Sequence, residues 1–283
     1  MRHLRIGPHG SERPAVMATD GTVYDLSGVT TDIDAAFLSG GGIERTRQAL
    51  DDGGLPQVTD PHQQRVGPPV ASPGKIVGIG LNYLDHAAES GACPPNEPIA
   101  FLKPSDTVVG PEDDVVIPPH STKTDHEVEL AVVIGSTARY LSSTEEARRS
   151  VAGYTVANDV SEREFQLERG GQWEKGKSCE TFTPLGPWLV TGEDADAAQA
   201  DVRLWVNGAL VQSGNTSNMI FGVEYLVYYL SHFMVLHPGD VVITGTPAGV
   251  AMGRPGQPYL RPGDTMELAI DGLGRQRQQL VAA

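Results

Sequence analysis

The chain has 283 residues, of which 39% are hydrophobic and 20% charged, and its formal net charge at pH 7 is −15. A chain of this length can bury a large core as one domain or two. The acidic balance and the lack of any Lys/Arg cluster argue against a nucleic-acid partner, because binding to phosphate backbones requires a basic surface.

Three further features suggest a protein of the cytoplasm. The N-terminus lacks the apolar core of a signal peptide, and the most apolar window, Met219–Leu236, is interrupted by polar residues. We therefore expect neither secretion nor a membrane span. Cys93 and Cys179 show no metal-type spacing, so free thiols in a reducing compartment are the simplest interpretation.

Residues 1–70 are predicted to form a small N-terminal domain. Three short strand candidates there are separated by turn residues, and a helical pattern follows near Gly42–Asp51. The polar, proline-punctuated run from Pro56 to Pro73 is the best linker in the chain. The second domain is accordingly expected at residues 71–283.

From Lys75 onward, short strands separated by turns dominate, and the chain holds 33 Gly and 21 Pro. An Asn-Gly pair at residues 207–208 predicts a β-hairpin. Helices are expected only at a few places, including a buried amphipathic helix within Met219–Leu236. The pattern therefore predicts a β-rich α+β domain and not a winding of alternating strands and helices.

The stretch Thr124–Gly135 alternates like a strand and carries two acidic residues on one face. Val128, Leu130, Val132 and Ile134 share the apolar face, whereas Glu127 and Glu129 are neighbours on the other. Like charges placed so closely are destabilising unless they are solvated, protonated or bridged by a cation. The strand alone leaves two alternatives, a metal site and a solvated sheet face.

Asp159 ends a second strand candidate thirty residues after Glu129. By itself it could simply cap a helix. Together with Glu127 and Glu129 it would complete a hard oxygen set for Mg²⁺, Mn²⁺ or Ca²⁺.

Other candidate residues carry weaker signals. His86 and Glu89 lie three residues apart on one helical face, which would orient an imidazole as a base, although an exposed polar face explains the same spacing. Lys177 or Arg163 could offset the carboxylates, although lysines and arginines in loops are usually only solvated. The G-x-G of residues 78–80 has Tyr83 where a dinucleotide-binding loop needs its third glycine, which argues against a dinucleotide-binding site there.

From Lys75 to its C-terminus the chain resembles the fumarylacetoacetate hydrolase family. The matching phrases occur in the family's order and are GLNYLDHAAESG, PIAFLKPSD, HEVELAVVIG, NDVSERE, KGKS and VVITGTPAGV. The resemblance implies a mixed β-sandwich roll that assembles as a homodimer and acts on a small 2-oxo or 2,4-dioxo acid.

The resemblance also implies roles for individual residues. It makes Glu127, Glu129 and Asp159 the metal ligands, with Mg²⁺ (or Mn²⁺ or Ca²⁺) as cofactor. It makes His86, Glu89 and Lys177 the catalytic residues. Positions that line the substrate site in the family correspond to Arg163, Gln166 and Thr246.

One position departs from acylpyruvase-like members, which often carry Arg where this chain has Leu81. The phrase from Val160 to Val190 looks most like the branch that hydrolyses 2,4-diketo-3-deoxy sugar acids such as 2,4-diketo-3-deoxy-L-fuconate.

The expected reaction is metal-assisted hydrolysis of a C–C bond in a 2,4-dioxo acid, giving pyruvate and a carboxylic acid. His86, oriented by Glu89, would activate the attacking water, and the metal and Lys177 would stabilise the pyruvate enolate. Two alternatives use the same metal–enolate chemistry, namely oxaloacetate decarboxylation and keto–enol isomerisation. A non-catalytic metal-binding protein is the more distant alternative.

Overall fold

The computed structural model describes residues 1–283 and shows a β-rich chain with six short α-helices. The strands are β1 (Arg2–Ile6), β2 (Arg13–Met17), β3 (Val23–Asp25), β4 (Val66–Gly67), β5 (Ile76–Gly80), β6 (Ile99–Lys103), β7 (Val108–Val109), β8 (Val115–Ile117), β9 (Thr124–Asp125), β10 (Val128–Ile134), β11 (Val151–Asn158), β12 (Ser161–Glu162), β13 (Thr183–Thr191), β14 (Asp201–Val206), β15 (Ala209–Asn215), β16 (Val241–Ile243), β17 (Thr265–Ile270) and β18 (Gly274–Ala282). The helices are α1 (Ala35–Ser39), α2 (Gly42–Asp51), α3 (Leu84–Glu89), α4 (Thr144–Arg149), α5 (Glu174–Lys177) and α6 (Val223–Leu230). No helix is both long enough and apolar enough to cross a membrane.

The largest sheet has 11 strands, and its main path runs β3-β2-β1-β13-β11-β10-β16-β5-β6. The short strand β7 follows β6 closely in the chain and pairs in parallel with β13. The sheet therefore curls back on itself, so that its middle strands enclose a concave face. A second sheet of 5 strands, in the order β15-β14-β17-β18-β8, packs against the outer face of these strands.

Strand β10 lies at the centre of this arrangement and pairs with β11 on one side and β16 on the other. Val128, Leu130 and Val132 point into the core between the two sheets. Ala131 and Val133 point to the concave face, where they pack in a second core that includes Phe37 of α1. Both faces of the strand are therefore buried, and a solvated face for its glutamates is excluded.

The N-terminal segment extends the large sheet and also forms an apolar cluster of its own. Strand β1 pairs antiparallel with β13, so β1, β2 and β3 extend the large sheet at one edge. Leu4, Ile6 and Val58 belong to a small apolar cluster of their own. The division into domains at residues 70 and 71 stays a prediction.

Two local expectations are confirmed, since the Asn-Gly turn joins β14 and β15 and helix α2 spans Gly42–Asp51. The structure also shows that the Ser143 side chain caps α4 by accepting from the Glu146 N–H. Helix α6 is shorter than the apolar window that predicted it. The strand predicted over Thr124–Gly135 breaks at residues 126–127, because β9 leaves the large sheet to pair with β12.

Candidate metal centre and catalytic site

The three carboxylates that the sequence singled out meet on the concave face of the large sheet. Glu127 lies in the break before β10, Glu129 lies within β10, and Asp159 follows β11. The Asp159 N–H donates to the Glu127 carbonyl at 2.9 Å, which continues the β10–β11 pairing to the end where the carboxylates sit. One oxygen or more from each residue lies within 4.8 Å of the others, and all three side chains are buried.

A lysine joins two of these carboxylates. The Lys177 Nζ donates to Glu127 Oε2 at 2.8 Å and to Asp159 Oδ2 at 2.6 Å. Burial disfavours the charged ammonium, but the neighbouring Asp159 and Glu127 outweigh it and raise the pKa of Lys177. The lysine therefore remains a cation at neutral pH, in contact with the site that the sequence assigned to it.

Arg163 also lies in the site, where it bridges two acidic residues. Its Nη2 donates to Glu127 Oε1 at 2.6 Å, and its Nε donates to Asp125 Oδ2 at 2.8 Å. Asp125 in turn accepts from the backbone N–H groups of Ala251 and Met252. The guanidinium is therefore held between β9 and the loop after β16, and it fixes the orientation of Glu127.

A second buried lysine was not found from the sequence. The Lys103 Nζ donates to Asp159 Oδ1 at 2.5 Å and to the carbonyl oxygens of Phe182 at 3.0 Å and Val160 at 3.3 Å. Its side chain has no exposed surface. The sequence offered one indication of this lysine, which is that it ends the otherwise apolar strand PIAFLK. By strand alternation, Lys103 lies on the same face as the buried Phe101.

The charges in the site do not balance within the protein. Four buried carboxylates, the triad and Asp125, face three buried cations, which are Lys103, Arg163 and Lys177. Glu129 forms no ion pair, and one of its oxygens accepts from the Gly245 N–H at 2.7 Å. Burial and the nearby charges of Asp159 and Glu127 raise the pKa of Glu129 well above its usual value.

Glu127 shows the opposite behaviour, although it lies only two residues away. Burial disfavours its charge, but Lys177 and Arg163 outweigh this and hold the pKa of Glu127 well below its usual value. At this end of the strand, the negative charge of Glu127 is therefore balanced by Lys177 and Arg163, whereas Glu129 has no cationic partner.

The donor set fits a hard divalent cation. Three buried carboxylates with oxygens this close together are unfavourable as ions unless a cation lies between them, and carboxylate oxygens are the ligands that Mg²⁺, Mn²⁺ and Ca²⁺ prefer. Glu129, Glu127 and Asp159 are the residues that would hold such an ion.

His86 and Glu89 form the pair that their spacing predicted. The His86 Nδ1 lies 2.8 Å from Glu89 Oε1, and the two residues occupy successive turns of α3. The Gly249 N–H donates to both oxygens of Glu89, at 3.0 and 2.9 Å, which fixes the carboxylate. The imidazole is only 6% exposed, and it lies close enough to Glu127 that a positive charge on it would lower the pKa of that carboxyl, which places His86 beside the triad.

The remaining predicted substrate residues are held by contacts within the protein. The Arg163 Nη1 donates to Gln166 Oε1 at 2.9 Å, so these two side chains are positioned together. The Thr246 hydroxyl donates to the Val128 carbonyl at 2.9 Å and accepts from Gln212 at 2.7 Å. The Thr246 hydroxyl is therefore already hydrogen-bonded to β10. That Thr246, Arg163 and Gln166 bind substrate stays a prediction.

Cys179 lies near this site but behaves as a packing residue. It is partly buried, and burial raises the pKa of its thiol to about 11. A thiol that stays protonated at neutral pH is a poor nucleophile.

Comparison with known proteins identifies the family. Residues 75–281 match the family model described as fumarylacetoacetate (FAA) hydrolase C-terminal. The chain belongs to the fumarylacetoacetate hydrolase family. A relative from Burkholderia ambifaria (strain MC40-6), whose name proposes a hydrolase and gives no substrate, is 49% identical over 282 residues, which is 98% of each chain.

Two solved structures of fumarylacetoacetate hydrolase relatives align over nearly their whole lengths. One is maleylpyruvate hydrolase from Sphingobium sp. SYK-6 in complex with manganese(II) ion and pyruvate, with 28% identity, a TM-score of 0.82 and 100% of each chain covered. The other is 5-carboxymethyl-2-hydroxymuconate delta-isomerase from Mycobacterium smegmatis, with 30% identity, a TM-score of 0.78, and coverage of 100% of this chain and 99% of that one. The expected β-rich fold of this family is confirmed, and the protein is an enzyme.

Proposed function

We propose that the protein is a divalent-metal-dependent hydrolase that cleaves a C–C bond in a 2,4-dioxo acid to give pyruvate and a carboxylic acid. The substrate would be an acylpyruvate or a 2,4-diketo-3-deoxy sugar acid. The observation that carries this proposal is the His86–Glu89 pair beside the carboxylate triad, because only hydrolysis requires a base that activates water. The manganese and pyruvate bound to the Sphingobium hydrolase support the assignment.

The chain's own residues account for the proton transfers. Contact between Nδ1 and the Glu89 carboxylate assigns the imidazole proton to Nδ1, which leaves the Nε2 lone pair to accept a proton from water. The hydroxide attacks the C4 carbonyl, the C3–C4 bond breaks, and its electron pair passes into the enolate of pyruvate. Protonation at C3 then gives pyruvate, and the acyl half leaves as the carboxylic acid.

The cations of the site stabilise the negative charge that develops. When bound by Glu127, Glu129 and Asp159, Mg²⁺ (or Mn²⁺ or Ca²⁺) would supply Lewis-acid stabilisation of an enolate oxygen. The Lys177 ammonium, fixed by two carboxylates, adds a second positive charge without reorganisation during the reaction.

An isomerase is the second candidate, and the similarity to the Mycobacterium smegmatis isomerase favours it. Movement of a proton between carbon and oxygen uses the same enolate but consumes no water. Assembly as a homodimer and a cytoplasmic location stay predictions from the sequence.

A substrate panel tests the proposal. Acetylpyruvate, oxaloacetate and a 2,4-diketo-3-deoxy sugar acid are each incubated with Mg²⁺, Mn²⁺ or chelator, and pyruvate release is followed by a coupled dehydrogenase assay. We expect metal-dependent pyruvate release from a 2,4-dioxo acid. Release only from oxaloacetate, or none at all, would overturn the hydrolase assignment.

The variant His86→Asn separates hydrolysis from the other reactions. We expect it to bind Mn²⁺ like the wild type but to lose hydrolysis by about 10²–10⁴-fold, the usual contribution of a positioned base. The exposed His62 gives a matched control, since His62→Asn removes an imidazole far from the site. Undiminished hydrolysis in His86→Asn would exclude the base from the mechanism.

A further inference from the structure

Two aromatic rings pack against the G-x-G of residues 78–80. A Cβ atom added at Gly78 would lie 2.2 Å from Phe101 Cζ, and one added at Gly80 would lie 2.4 Å from Trp173 Cζ3. Any side chain at either position would therefore displace a ring. The alternating glycines in β5 allow both rings to lie directly on the concave face of the sheet.

The strand register places these rings on the same face as the triad. Ala131 of β10 pairs with Ile243 of β16, Ile243 pairs with Gly78, and Gly78 pairs with Phe101. Residues that are directly opposite in neighbouring strands share a face, so Phe101 points to the same side as Glu129.

Contacts connect the rings to the reacting centre. The Lys177 Nζ lies 5.0 Å from the centroid of the Phe101 ring, and the same ammonium binds Glu127. The Phe101 and Trp173 rings meet edge to face with their centroids 5.9 Å apart and their planes at 60°. Trp173 also stands four residues before Lys177, at the start of α5. Phe101 is buried, whereas Trp173 keeps part of its surface exposed.

Leu81 follows Gly78 and Gly80 in the chain with a positive φ of 53°, a conformation that is unfavourable for a bulky residue. The adjacent Asn82 holds the backbone in place, since its side chain donates to the carbonyls of Phe221 and Thr244 and accepts from the Phe221 N–H. The backbone that leaves β5 is thus fixed next to the two glycines on which the rings lie.

We propose that Phe101 and Trp173 form an aromatic wall that determines specificity, and that it selects 2,4-dioxo acids with a flat, apolar acyl group. The aromatic wall contacts the acyl group of the substrate, while the carboxylate and 2-oxo end of the substrate lies toward the triad. This assignment rests on the proposed function. The rings stack on a flat group, and the hydrocarbon parts of the wall offer no partner to hydroxyl groups. A polyhydroxylated sugar-acid chain would lose its water here without replacement hydrogen bonds.

Kinetics with three substrates test the wall. We expect kcat/KM for benzoylpyruvate to exceed that for a 2,4-diketo-3-deoxy sugar acid by about tenfold or more in the wild type. Trp173→Ala should lower kcat/KM for benzoylpyruvate about tenfold and change that for acetylpyruvate less than about threefold, because a methyl group barely reaches the ring. Trp173→Phe should restore most of the loss. Trp205→Ala is the matched control, since Trp205 lies in the hairpin of the second sheet and stacks only on Arg275.

Equilibrium binding separates this inference from the proposed function. Calorimetry with Mn²⁺-loaded protein compares benzoylformate, a 2-oxo acid with a phenyl group, with pyruvate. Tighter binding of benzoylformate that disappears in Trp173→Ala supports the wall even if no substrate is hydrolysed, and in that case only the proposed function fails.

Three other outcomes would contradict the proposal of an aromatic wall. These are a wild-type preference for the sugar acid, an equal loss for benzoylpyruvate and acetylpyruvate in Trp173→Ala, or benzoylformate binding that the substitution leaves unchanged. If Trp173→Ala does not fold, Phe101→Leu provides the same comparison, because it removes the ring and leaves a smaller apolar side chain in its place.

Discussion

Glu127 and Glu129 are equivalent in sequence pattern, yet their replacement by glutamine is expected to change stability in opposite directions. In metal-free protein, Glu129→Gln removes a charge that Asp159 and Glu127 repel, and the amide oxygen can still accept from the Gly245 N–H. Glu127→Gln instead removes the charge that Arg163 and Lys177 require. The first variant should be more stable than the wild type and the second less stable.

The size of each effect follows from the geometry. Two charges 4.8 Å apart repel by about 3 kcal/mol at an effective dielectric constant of about 20. Lys177 offsets part of the repulsion that Glu129 feels from its two neighbours, so we expect Glu129→Gln to raise the free energy of unfolding by about 1–3 kcal/mol. Breaking a buried ion pair costs about 3–5 kcal/mol, which sets the loss for Glu127→Gln.

Differential scanning fluorimetry in chelator measures both changes. A gain of about 1–3 kcal/mol corresponds to a rise in Tm of about 2–5 °C for a chain of this size. Because burial and the neighbouring charges raise the pKa of Glu129 in the folded state, the wild type is destabilised wherever the unfolded chain ionises this carboxyl. The advantage of Glu129→Gln should therefore be largest above the folded-state pKa, shrink as the pH falls below it, and vanish below the unfolded pKa of about 4.3.

Addition of Mn²⁺ should stabilise the wild type more than either glutamine variant. Both variants lose a charged ligand, so both should bind Mn²⁺ at least about tenfold more weakly in calorimetry, and the wild type should gain most in Tm. Glu145→Gln, at an exposed side chain, is the control and should change stability by less than about 0.5 kcal/mol. Equal destabilisation by the two variants in chelator would refute the charge argument, and wild-type Mn²⁺ affinity in both would refute the metal site.

Two further predictions concern buried basic residues. Lys103→Met should lower the free energy of unfolding in urea by about 3–5 kcal/mol in chelator, because Asp159 loses a buried partner, and an unchanged urea midpoint would show that Asp159 does not depend on it. His3 is buried with both ring nitrogens unpartnered, and burial lowers its pKa to about 3, so it must stay neutral in the folded state. Since this folded-state pKa lies below the unfolded value, stability should be lost as the pH falls below about 6.5, by about 2 kcal/mol between pH 7 and 5. His3→Leu should abolish this part of the acid sensitivity, and parallel pH profiles for the variant and the wild type would contradict it.

The parts of the fold that the sequence predicted are those specified by local patterns. The alternation in β10 and the Asn-Gly hairpin each depend on neighbouring residues, and the structure confirms them. The break at residues 126–127 depends on β12, which lies far along the chain, and no local pattern marks it.

The same distinction applies to the site. The convergence of Glu127, Glu129 and Asp159 could be anticipated because alternation and strand ends predict direction, and the structure brings them together. Lys103 reaches Asp159 only because the sheet curls so that β6 faces the end of β11, and this curvature cannot be read from a strand of five residues. Asp125 was passed over because its partner, Arg163, is brought near by the separate β9–β12 pair.

The burial of β10 on both faces has a consequence for its dynamics. Every residue of the strand is buried, and it pairs on both sides, so amide hydrogen exchange along Val128–Ile134 requires the whole sheet to open. Glu129 therefore cannot escape its neighbours through a local fluctuation of the backbone. The three carboxylates therefore stay close together in every folded molecule, and only a proton or a cation can relieve their repulsion.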